Sequence, residues 1–121
     1  MHKKLGLPRK FFAEVFCLHI KETESENKMV NVSLQVLPVV SEERIYPVVD
    51  EVISYIASTG IKHIVGPLET TMEGELDALL EIVKKAQDIC VSAGANRVVS
   101  IVKIDYSTKG VTMDEKVEKY R

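Results

Sequence analysis

The chain has 121 residues, 45% hydrophobic and 28% charged, with a formal charge of −2 and a pI of about 5.9. That length suits one globular domain. The acidic balance excludes a general nucleic-acid binder, which needs a basic face to neutralise phosphates.

Tryptophan is absent and aromatics are 6%, so the core must be built from valine, isoleucine and leucine. Charge divides unevenly. Residues 1–28 carry six Lys/Arg against four Glu, whereas residues 29–121 carry ten against fourteen Asp/Glu. This predicts an N-terminal extension over 1–28, disordered or lying upstream of a true start at Met29, and a domain over 29–121. Cys17 and Cys90 are far apart, no CxxC occurs and the three histidines do not cluster. No disulfide framework or metal site is expected, and a reducing, cytoplasmic setting is the default. No apolar run approaches the ~18–20 residues of a membrane span. Residues 11–20, after Lys3, Lys4, Arg9 and Lys10, loosely resemble a signal peptide. Glu14 and His19 interrupt them and no small-x-small cleavage site follows, so secretion is not expected.

Residues 21–28 (KETESENK) read as a polar linker. Residues 30–39 then alternate, with Val32, Leu34 and Val36 on one side and Asn31, Ser33 and Gln35 on the other, the signature of a half-buried strand. A helix of about twelve residues follows, with Pro47 in its first turn, a stripe of Val48, Val49, Val52, Ile53 and Ile56, and Gly60 as the stop. Residues 61–65 and the run from Thr70 to Met72 form a two-strand hairpin across Gly66-Pro67. Leu76, Leu79, Leu80, Val83, Ala86 and Cys90 make the best helical stripe in the chain, with Glu75, Asp77 and Glu81 early in it. Residues 97–106 (RVVSIVKIDY) form a strand that is apolar on both parities. Thr112-Met113-Asp114-Glu115 matches a capping box opening a short terminal helix.

The order β-α-β-β-α-β predicts an α+β, ferredoxin-like sandwich: a four-stranded sheet with helices on one face and a short C-terminal helix. The other face is left bare. Val98, Val102 and Ile104, or their alternates Val99 and Ile101, would expose an apolar patch there. A homo-oligomer, dimer or tetramer, formed through the sheet is the economical remedy.

This fold hosts many functions. Base-stacking aromatics are missing from the strands apart from Tyr106, the first loop lacks the CxxC of a metal chaperone, and Arg44 is flanked by Glu42 and Glu43 rather than set in a phosphate cradle. His63 reads as an ordinary strand histidine and Cys90 as a core residue. Only Glu73 with His63 could be nominated as a titratable pair, so no catalytic residue is assigned. The segment from Gly66 to Glu75 (GPLETTMEGE) concentrates two hydroxyls and a carboxylate on a strand entering a helix. Ordinary strand chemistry explains Thr70, Thr71 and Glu73 well enough. They also suit a small polar ligand, with Ser33 and Gln35 on the neighbouring strand completing the site.

From Met29 onward the chain resembles the thiamine-binding protein family of small ferredoxin-like proteins. The resemblance rests on VSLQVLPVV, on SYIASTGIKHIVGPLETTMEGE and on RVVSIVKIDY. It implies a cytoplasmic homo-oligomer that binds thiamine or its hydroxymethylpyrimidine part without catalysis and without a further cofactor. Thr70, Glu73 and Gly74 match the shared motif. Glu73 would accept from the aminopyrimidine, Thr70 or Thr71 would bond a ring nitrogen, and Ser33 or Gln35 would contact the other edge. Glu69 departs from the smaller residue expected there, which alters the pocket rim. The alternative is a regulatory or structural oligomeric module that binds another metabolite or a protein partner.

Overall fold

The computed structural model describes residues 28–121. The expected extension, Cys17, His2, His19 and the signal-like stretch lie outside the described residues. Four strands, β1 (Val30–Pro38), β2 (Lys62–Val65), β3 (Thr70–Gly74) and β4 (Val98–Asp105), alternate with α1 (Glu42–Ser58) and α2 (Leu76–Ser92). A short α3 (Met113–Val117) and a 3-10 turn at Glu118–Tyr120 follow. The sheet is antiparallel in the order β2-β3-β1-β4. This is the expected ferredoxin-like α+β arrangement.

Register divides the side chains between two faces, because successive residues of a strand point opposite ways. Val30, Val32, Leu34 and Val36 of β1 lie beneath α1 and α2, beside Met72 and Gly74 of β3. The helices meet them with Val48, Val52 and Ile56 from α1 and with Leu79, Ile82, Ala86 and Cys90 from α2. Ile82 belongs to this core although the stripe read from the sequence omitted it. Gly74 shows how closely α2 and the chain before β2 approach: a Cβ there would stand 2.9 Å from Ile61 Cδ1 and 3.3 Å from Leu79 Cδ2.

Three expectations need correction. First, α1 has 17 residues and starts at Glu42, so Pro47 stands in its second turn. The lost N–H is tolerable there because this end of the helix is exposed and solvent can serve the freed carbonyl. Second, Val98 and Val102 pack on the helix side, and the apolar residues of the opposite face are the alternates, Val99 and Ile101, together with Leu37. Third, that face is not wholly bare, because α3 lies across one end of it. Its long-range polar ties are Glu73 to Met113, Lys62 to Asp114 and Lys116 to Asp105, and the Met113 side chain is buried. Thr112 caps the helix as the sequence suggested, its hydroxyl accepting from Glu115 N–H at 3.2 Å. Arg44, considered above as a phosphate ligand, instead donates from Nη2 to the carbonyl of Ala93 at 2.6 Å. It thereby supplies a cation at the C-terminus of α2, whose own last turn has none.

Candidate ligand-binding site

The face opposite α1 and α2 carries the polar alternates of the strands. In register, Asn31 lies between Glu73 and Asp105, Ser33 between Thr71 and Lys103, and Gln35 beside Ile101. Four of the five residues singled out from the sequence therefore share this face: Ser33, Gln35, Thr71 and Glu73. The fifth does not. Thr70 pairs with Leu34, has the parity of Met72, and is only 5% exposed on the helix side. The nominated pair of His63 and Glu73 is also separated. His63 stands opposite Met72, so it belongs to the other face, and its Nδ1 lies 2.9 Å from the carbonyl oxygen of Ile61.

Alpha-3 turns the polar end of this face into a groove of about 450 Å³. Asn31 and Thr71 supply polar groups from the strands. Ile64, Pro67, Leu68, Met113 and Val117 supply apolar ones from the hairpin and from α3. That mixture, apolar walls with a few fixed polar groups, and that size are usual for small-molecule sites. Glu69, Lys116 and Arg121 also line it. Glu69 pairs with Lys103 at 3.3 Å. Because Lys103 is on β4 and Glu69 precedes β3, this ion pair passes over β1 between them. The rim residue that departed from the family pattern thus forms a bridge across the sheet.

Glu73 is largely engaged by the protein itself. Its Oε1 accepts from Met113 N–H at 2.6 Å, at the N-terminus of α3, and from Asn31 Nδ2 at 3.5 Å. A carboxylate at that position satisfies an otherwise unpaired helix N–H. Lys62 Nζ lies 3.8 Å from Glu73 Oε2 and donates to Asp114 Oδ2 at 2.8 Å. The Asp114 hydrogen bond, reinforced by the charges of Asp114 and Glu73, holds the Lys62 ammonium above the usual lysine range despite some desolvation.

Among the described residues, two buried side-chain polar atoms on this face have no protein partner: Asn31 Oδ1 and Ser33 Oγ. Their residues are 4% and 7% exposed. Sequence reading passed over Asn31, although it shares the alternation of Ser33 and Gln35, and that parity was the available signal. Cys90 is buried in α2's core stripe, where burial, with the charge of Glu51 adding, pushes its thiol up. It touches no part of the groove. No group of three His, Cys, Asp or Glu residues that could hold a metal occurs among the described residues. No helix among them is long and apolar enough to cross a membrane.

Comparison with known proteins adds the relationship. A family model described as thiamine-binding protein matches residues 32–121. A UPF0045 protein of Clostridium perfringens is 69% identical over 91 residues, covering 75% of this chain and 96% of that protein. Among solved structures, a DUF77 domain of unknown function from Bacillus cereus superposes with a TM-score of 0.75 at 47% identity, covering 78% of this chain and 92% of that one. A Thermotoga maritima protein provisionally assigned to thiamine biosynthesis or salvage superposes at 0.73 with 41% identity, covering 77% and 99%.

Proposed function

The chain belongs to the thiamine-binding protein family, and from that premise we propose that it binds thiamine through the hydroxymethylpyrimidine ring, without catalysis. The observation that carries this reading is the groove beneath α3, with polar groups on its strands and apolar side chains on its walls. A flat heteroaromatic ring lies against Ile64, Pro67 and Met113, while Asn31, Ser33 and Thr71 meet its polar edge. Gln35 extends the polar row along β1. Glu73 serves by holding α3 and Asn31 in place, and Thr70 serves the core. The groove's charged residues, Glu69 against Lys116 and Arg121, do not themselves call for a cation. The pyrimidine, rather than the thiazolium, is therefore the end it takes. The Thermotoga relative's provisional assignment points the same way.

The same reading includes a cytoplasmic homo-oligomer. Beyond α3, the open face presents Leu37, Val99 and Ile101, the last 47% exposed. A second copy laid on this face removes them from water.

Calorimetry with thiamine and with hydroxymethylpyrimidine tests the binding. Both are expected to give saturable heat, with comparable affinities because they share the ring. No heat at millimolar ligand from folded protein would reject the reading.

A further inference from the structure

The amide of Asn31, whose Oδ1 has no partner among the described residues, has a defined orientation. An amide has a donor end and an acceptor end, and which one is free depends on its neighbours. Here Nδ2 faces Glu73 Oε1 at 3.5 Å, and an ionised carboxylate only accepts. The opposite flip would set two acceptors against each other. Glu73 therefore leaves Oδ1 as the free end, on a residue that lines the groove and is almost wholly buried. A buried acceptor without a donor is costly, and a ligand that brings an N–H removes that cost. Ser33, two residues along the same strand face, has a hydroxyl that can donate or accept, so it discriminates little.

Resting on the binding reading above, we propose that Asn31 determines which rings the groove accepts. Its Oδ1 takes an N–H from an amino group on a planar heterocycle and rejects the oxo counterpart, whose carbonyl would bring lone pair against lone pair. Glu73 is the positioning residue that holds the Nδ2 end and leaves Oδ1 as the free acceptor. The same Glu73 oxygen accepts from Met113 N–H at 2.6 Å, so the docking of α3 and the orientation of the amide share one atom. The ligand class is thus an amino-substituted pyrimidine or a close isostere.

The test compares two ligands, the 4-amino hydroxymethylpyrimidine and its 4-oxo analogue, by calorimetry on the full chain. The wild type is expected to favour the amino ligand at least tenfold, about 1.4 kcal/mol. Asn31→Leu, which removes both ends of the amide at similar volume, is expected to abolish the preference. Glu73→Ala removes the one oxygen that faces both Met113 N–H and Asn31 Nδ2, so the amide can present either end. The amino-to-oxo ratio should then fall toward one. A merely structural Glu73 would weaken both ligands alike and leave the ratio unchanged, and that result overturns its assignment. Wild-type protein that binds both ligands equally overturns the role of Asn31 while leaving the binding reading intact. Wild-type protein that binds neither removes both. If Asn31→Leu does not fold, the ratio in Glu73→Ala decides.

Discussion

The two faces of the sheet are built from alternate residues of the same strands, yet they are held together on different terms. On the helix side, Val30, Val32, Leu34 and Met72 cluster with Val52, Ile56, Leu79 and Ile82. Order there comes from excluding water and filling volume. On the other side, Glu73, Lys62 and Asp105 hold a helix of five residues by directed bonds and ion pairs. So short a helix has no stability of its own and depends on those ties and on the burial of Met113. The first face should therefore respond to changes of volume, and the second to the loss of single atoms.

Removing volume from the first face is expected to have the largest effect. Leu79→Ala empties a fully buried position and should cost about 2–5 kcal/mol in urea denaturation. A cost below about 1 kcal/mol would show a looser core than described. Next comes Glu73→Ala, which strips the acceptor from Met113 N–H and Asn31 Nδ2 and should cost about 1–3 kcal/mol. Its signature is local: amide exchange should quicken in residues 113–120 while β1 stays protected. Exchange that rises everywhere equally would erase the distinction between the faces. Ile101→Lys, on the open face, should change stability by no more than about 0.5 kcal/mol. Sedimentation should nevertheless show a smaller particle, and an unchanged mass would remove the proposed assembly through this face.

The smallest effect concerns pH. The folded Cys90 thiol titrates above its unfolded value, because burial opposes the thiolate and Glu51 adds to that. Its contribution to stability is therefore complete below the ordinary thiol range, about 8.5. It is lost as pH rises through the raised native value, because the unfolded thiol ionises first. In a Cys17→Ser background, native protein at pH 8 should react with a thiol reagent far more slowly than protein in urea. Equal rates would mean that the core opens readily at α2.

The apolar face was the more legible of the two. Alternation in β1 and the stripes of α1 and α2 are local patterns, and they identified Val32, Leu34, Val52, Leu79 and Cys90 correctly. Parity in β1 also grouped Ser33 with Gln35. The same rule, applied to β3, separates Thr70 from Thr71 and Glu73, which their polar chemistry alone groups together. The docking of α3 left no local trace. Glu73 and Met113 are 40 residues apart, and nothing near either announces the other. The start of α1 is hidden for a different reason: proline favours the first helical turn, and an exposed helix end can carry it deeper than that rule suggests.

Alpha-3 follows all four strands in the chain, and that order has a consequence for synthesis. Domains begin to assemble while the ribosome is still extending the chain. Every residue of the clustered core precedes residue 96, and β4 closes the sheet at Asp105. Met113 and Val117 emerge later, and with them one wall of the groove. A nascent chain can therefore assemble the clustered core before the groove exists, and buried Met113 joins last. Translation that stops short of Thr112 would leave the sheet and its core without the groove, so a product that carries the groove was made at least through α3.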